Sequence, residues 1–164
     1  PIKSSAASDV YKRQLQRALQ TADCITEGRN IPILTDERIQ EISFGDWEGE
    51  SLIDSTILPA DYKKQFYENP LYCEVPPHGE SVSQVIQRTA DFYQSLLADP
   101  AYQDKHILVS THGAAGRCFL CNFFADKTDI WRGGVPKNCA VTTVEVINKK
   151  SRIVDFDRLF YTER

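Results

Sequence analysis

No stretch of this 164-residue sequence is apolar for long enough to cross a bilayer, and no basic segment leads into an apolar signal core. Positive charge is not in excess either. Nineteen Lys and Arg stand against 23 Asp and Glu, a net charge of −4, which argues against a nucleic-acid or anionic-membrane surface. Histidine is scarce: His78, His106 and His112 are the full complement of three. There is no internal repeat and no linker, so the expectation is one soluble, cytoplasmic domain large enough to bury a core. The five cysteines, Cys24, Cys73, Cys118, Cys121 and Cys139, lack the even count and regular spacing of a disulfide framework. Cys118 and Cys121 form a C-x-x-C, but no second Cys/His pair sits at zinc-finger spacing. The surrounding Arg-Cys-Phe-Leu-Cys-Asn-Phe-Phe reads as one apolar helical face carrying free thiols.

What is present is an alternation of helical and strand signals. Leu15, Ala18, Leu19, Ala22 and Ile25 recur at helical spacing, predicting an amphipathic helix from about Gln14 to Glu27. Ile31-Pro-Ile-Leu-Thr is compatible with a short edge strand. A glycine-punctuated loop of aromatics and acids follows, Glu41-Ile-Ser-Phe-Gly-Asp-Trp-Glu-Gly, and then a helix from about Ile53 to Tyr67. After the turn Val75-Pro-Pro-His-Gly-Glu, Ser81 reads as the N-cap of a long helix burying Val82, Val85, Ile86, Ala90, Tyr93, Leu96 and Leu97. A strand Ile107–Ser110 and a helix from Ala114 to Ala125 come next. The chain closes with a β-branched strand from Asn138, a break at Asn148-Lys-Lys-Ser, and a second alternating strand from Arg152. The alternation predicts an α/β domain with a largely parallel sheet and an antiparallel C-terminal edge.

His112 is the sharpest chemical signal. It stands where an apolar run ends and a helix begins, beside Gly113, which lets a ligand approach the backbone. Helix N-termini there favour anions. The plainer alternative is a half-buried histidine closing a strand. Arg17 alone reads as a solvated helix side chain. Glu41 alone reads as a wet loop carboxylate, except that Phe44 and Trp47 nearby could desolvate it and suit it to proton donation. Trp47 reads as a packing anchor, Asp46 and Glu48 as loop-ordering acids, and His78 and His106 as exposed.

Together, "LQRALQTA", "EISFGDWEG", "GES" opening a helix and "VSTHG" occur in one order along most of the chain. In that order they resemble the histidine phosphatase superfamily, the phosphoglycerate mutase-like fold. The resemblance implies an α/β fold with a largely parallel sheet flanked by helices. It implies Glu41 as proton donor, His112 as a second active-site histidine, and Arg17, His112 and Gly113 as a phosphate grip. It also implies a small phosphorylated metabolite as substrate, and no metal or cofactor.

The family's nucleophile is the histidine of an Arg-His-Gly triplet at the end of the first strand, and no such triplet occurs in this sequence. Residues 1–14 read instead as a non-native or disordered leader, with residues 15–164 as the family domain lacking its first strand. The F-G-D-W-E-G loop looks more like the phosphatase branches of the family than the glycolytic mutase, so the resemblance implies a phosphatase rather than a mutase. The chain as written is expected to be inactive, with a non-catalytic phosphate-binding domain as the alternative. A redox or metal module on Cys118 and Cys121 is the third reading.

Overall fold

The computed structural model describes residues 16–51 and 55–162, so residues 1–15, which include the stretch expected to be a leader, residues 52–54 and the last two residues lie outside the described residues. Residues 16–26 form the first helix, α1, ending before a turn at Gly28. Of the helix expected from about Ile53 to Tyr67, described residues 55–61 are not helical, and α2 runs Tyr62–Glu68. It buries Tyr62 and Phe66. Trp47 meets Tyr62 edge-on, with ring centroids 5.0 Å apart, and is buried as an anchor of the glycine-punctuated loop.

Helix α3, Val82–Ala98, opens as the sequence predicts. The Ser81 hydroxyl accepts the N–H of Gln84, and the Gln84 side chain accepts the N–H of Ser81. This reciprocal capping box satisfies two donors that no helical carbonyl reaches, at a gain of ~1 kcal/mol. The buried face carries Val82, Val85, Phe92 and Tyr93, together with Thr89, whose hydroxyl is satisfied inside the helix by the carbonyl of Val85 at 2.8 Å.

Helix α4, Gly113–Leu120, is shorter than expected because its last turn tightens into a 3₁₀ segment, Cys121–Phe123. It packs Ala115, Cys118 and Cys121 into the same core as Ile42, Val82 and Val85.

The sheet differs from expectation. Among the described residues the only sheet is an antiparallel hairpin, β1 (Val141–Ile147) paired with β2 (Lys150–Arg158). Its two-residue turn has Asn148 and Lys149 at φ 50° and 62°, the left-handed pair that a twisted hairpin requires. The largely parallel sheet is not formed among the described residues. Neither Ile31–Thr35 nor Ile107–Ser110 enters a ladder there, although both were expected as strands. A ladder needs a partner backbone alongside, and apolar residues of these segments, among them Leu34 at 73% and Leu108 at 58%, face outward.

Gly45 docks the loop of residues 41–49 against the turn that precedes α3. Gly45 has φ 52°, and a Cβ there would lie 2.1 Å from the carbonyl oxygen of Pro77. The N–H of Asp46 donates to that same carbonyl at 2.9 Å. Gly49 has φ 87° but open space around it. Gly49→Ala therefore bears only the left-handed backbone cost, ~1–2 kcal/mol. Gly45→Ala adds a clash with backbone and is expected to destabilise clearly more. Urea midpoints at constant slope measure both. Equal losses for the two variants would contradict the docked-loop account.

Candidate active site

The last residues before α4 are stitched to two other parts of the chain by hydroxyls. Ser110 Oγ donates to the carbonyl of Ala18 on α1 at 2.9 Å, and Thr111 Oγ1 donates to the carbonyl of Ile39 at 2.7 Å. The first bond sets the segment beside the turn of α1 that carries Arg17. The second sets it beside the approach to Glu41. His112 follows in extended backbone, φ −117° and ψ 177°, as the residue from which α4 starts. Neither serine nor threonine was singled out in the sequence, where "VST" reads as the end of a strand. Their spacing before His112 is the only signal they leave.

His112 makes no capping bond to its helix. Glu41 supplies that bond from elsewhere in the chain. Its Oε1 accepts the N–H of Ala115 at 2.8 Å and that of Ile42 at 3.0 Å, while Oε2 accepts the N–H of Ala114 at 3.3 Å. A carboxylate at the positive end of a helix is favourable, by up to ~2 kcal/mol where partly buried. A Cβ on Gly113 would sit 3.9 Å from Glu41 Oε2, an ordinary van der Waals contact, so Gly113 lies directly beside the carboxylate.

The imidazole of His112 feels both of the other predicted residues. Burial lowers its pKa from 6.5, the Glu41 carboxylate opposes that shift, and the Arg17 guanidinium adds to it. The structure thus brings Glu41, His112 and Gly113 together, with Arg17 in electrostatic reach although its residue is exposed. The neighbouring Glu48 orders the loop, accepting the N–H of Phe44 at 2.7 Å, and burial raises its carboxyl pKa.

His78 and His106 lie outside this cluster. His78 is exposed at φ 57°, with Nδ1 3.2 Å from both oxygens of Asp46, and His106 is exposed before the extended segment. Cys118 and Cys121 are buried free thiols on the α4 face, as their apolar context predicts. Burial pushes both thiols up, Cys121 to about 11, away from the thiolate state that redox chemistry and metal binding need.

Further along α4, Arg117 is almost wholly buried and is held by three groups. Its guanidinium pairs with Asp157 at 2.5 Å, donates from Nε to the carbonyl of Gly134 at 2.9 Å, and lies over the ring of Phe156 at 5.1 Å. This fastens the helix to β2 while Glu41 fastens its start. The sequence left Arg117 unnoticed, because a single arginine between Gly116 and Cys118 has no periodic or motif signature.

The family model for the histidine phosphatase superfamily (branch 1) matches residues 2–158. Among solved structures, YhfR of Bacillus stearothermophilus is similar with a TM-score of 0.75 and 30% identity, over 85% of this chain and 68% of that one. Among curated relatives, the 2,3-bisphosphoglycerate-dependent phosphoglycerate mutase of Cytophaga hutchinsonii is 28% identical over 65% of this chain and 50% of its own length. The uncharacterized phosphatase PhoE of Bacillus subtilis is 24% identical over 95% of this chain and 73% of its own length.

The lowered pKa of His112 has a signed consequence for stability. With its folded value below its unfolded value of 6.5, the unfolded chain binds the proton first as pH falls. The contribution of this group to stability is therefore complete above that value. It declines as pH falls below it, and levels off once the folded ring is protonated too. Replacing His112 by Gln is expected to flatten the fall in urea midpoint over that acidic window. An unchanged pH profile in the variant would contradict the assignment.

Proposed function

The chain belongs to the histidine phosphatase superfamily (branch 1), and we propose that its site handles the phosphoryl group of a small phosphorylated metabolite, by hydrolysis in preference to mutase transfer. The observation that carries this reading is the meeting of Glu41 and His112 at the start of α4, with Arg17 electrostatically coupled to the same imidazole. A titratable acid, an imidazole and a guanidinium around one helix start suit a phosphoryl group, whose charge they neutralise and whose leaving oxygen they protonate.

In a member of the family that carries the Arg-His-Gly triplet, a histidine nitrogen attacks phosphorus, forming a P–N bond as the P–O bond to the leaving group breaks. Glu41 gives its proton to the departing oxygen. Oε1 already accepts two N–H groups, whereas Oε2 accepts one at 3.3 Å, which favours Oε2 as the oxygen that faces the leaving group. Arg17 and His112 bear the phosphoryl charge in the transition state. Water then cleaves the P–N bond, releasing inorganic phosphate and restoring the histidine.

None of the three histidines of this sequence stands in an Arg-His-Gly triplet, and none precedes Arg17. That observation favours a second reading for the 164 residues taken alone: phosphate binding without turnover. The two readings share a binding site and differ in the covalent step.

The test is a pair of measurements on the 164-residue chain. Orthovanadate is expected to shift the His112 ring resonances, and Arg17→Ala to weaken that binding by about tenfold or more, as loss of a charge-assisted contact does. Hydrolysis of an aryl phosphate is expected to stay at the buffer rate. Turnover that vanishes in His112→Ala would contradict the missing-nucleophile part of the proposal. Absence of any vanadate effect would sink the phosphate site itself. Turnover gained by adding an upstream strand that ends in Arg-His-Gly would select the enzyme over the passive binder.

A further inference from the structure

The sequence marks Glu41 but leaves open what keeps a loop carboxylate aimed at a helix several elements away. Arg88, on α3, sits beneath that loop with only 18% of its side chain exposed. Its Nη1 donates to the carbonyls of Arg38 and Gln40, both at 2.8 Å, and its Nη2 donates to the carbonyl of Glu41 itself at 3.1 Å. The other edge of the guanidinium is engaged by Glu80, with Nε to Oε1 at 2.8 Å and Nη2 to Oε2 at 2.9 Å.

Glu80 completes the arrangement on the far side of Glu41. Its Oε2 accepts the N–H of Ser43 at 3.0 Å, and its own N–H donates to the carbonyl of Ser43 at 2.9 Å. The backbone is therefore gripped immediately before Glu41, at Glu41 and two residues after it. A planar fork with five donors can span three carbonyls and a carboxylate at once, which the point charge of a lysine cannot.

We propose that Arg88 and Glu80 are positioning residues for Glu41: a two-residue clamp that holds its carboxylate on the first turn of α4 and beside His112. The proposal rests on the reading of Glu41 and His112 as one site, and it concerns what aims that site. Arg88 touches no substrate in this account and acts through the backbone of residues 38–41.

The experiment follows the His112 ring by NMR titration in the whole chain, a readout independent of turnover. The charged groups that bear on this ring are the Glu41 carboxylate, which favours its protonated form, and the Arg17 guanidinium, which opposes it. Glu41→Gln is expected to lower the titration midpoint of His112. Arg88→Gln is expected to reproduce at least half of that lowering, because the released loop carries the carboxylate away. Removing the positive charge of Arg88 acts directly in the opposite sense, so the sign separates positioning from simple electrostatics. In a Glu41→Gln background, Arg88→Gln should lower the midpoint no further. Arg88→Lys keeps the charge without the fork and should lower it too, and it serves if the Gln variant fails to fold.

A folded Arg88 variant with an unmoved or raised His112 midpoint would overturn the proposal. The outcome stays separate from the functional reading. Lowered midpoints in a protein that binds no vanadate would leave the clamp standing and remove the phosphate site. In a catalytically competent version that gains an upstream strand ending in Arg-His-Gly, the same variant should lose kcat on alkyl phosphates at least tenfold more than on aryl phosphates, whose leaving groups need little protonation. Equal losses on both would overturn the clamp's role in proton donation.

Discussion

The first turn of an α-helix has N–H groups that no carbonyl of the same helix can reach, and a half-buried helix start must find them partners. In α4 the capping residue is His112, which offers no such bond, and the partner is Glu41, more than seventy positions earlier in the chain. That constraint governs much else. Glu41 must arrive with both oxygens aimed at Ala114 and Ala115, so the loop that carries it must be held in register. Its successor Ile42 buries its side chain in the core, and the loop's aromatic end, Trp47, is packed on α2. The candidate site thus lies at a structural joint, and its geometry is inherited from the bonds that close it.

Three guanidiniums do much of the holding, each by addressing carbonyls as well as a carboxylate. Arg88 spans the backbone of residues 38–41, and Arg38 reaches the carbonyl of Asp91 and the hydroxyl of Ser95 while paired with Asp36. Arg117 ties the far part of α4 to Asp157 and Gly134. Burying a charged pair carries a desolvation penalty that attraction alone often fails to repay. These arginines avoid the worst of it because their donors meet acceptors. Arg88 and Arg117 are the largely buried ones, and removing a partner from either would leave a buried charge unpaired, which destabilises the fold.

Features carried by a short run of residues were readable in advance. Ser81 as the N-cap of α3, the hairpin break beginning at Asn148, the exposed His78 and the buried thiols each follow from local chemistry. His112 and Gly113 were readable for the same reason, as a ring and a glycine at the junction of an extended segment and a helix. Features that depend on what comes alongside were not. Whether Ile107–Ser110 enters a sheet depends on a neighbouring strand, and nothing within those four residues supplies one. The engagement of Arg88 with three carbonyls is set by the path of a distant loop, and alone it reads as one more solvated arginine on a helix. Thr89 was passed over on the buried face because a hydroxyl counts as polar until its bond to the Val85 carbonyl is seen.

At the start of α4 an acid and a guanidinium both act on one imidazole. The central claim beneath the functional proposal is that the Glu41 carboxylate closes this helix start. Amide hydrogen exchange at Ala114 and Ala115 tests it most directly. First-turn amides exchange freely unless something outside the helix accepts them. The account predicts that both are protected in the native protein, Ala115 the more strongly, and that Glu41→Ala removes the protection while the rest of α4 keeps its own. Exchange at Ala114 and Ala115 that is fast in the native protein, or unchanged by that substitution, would contradict it.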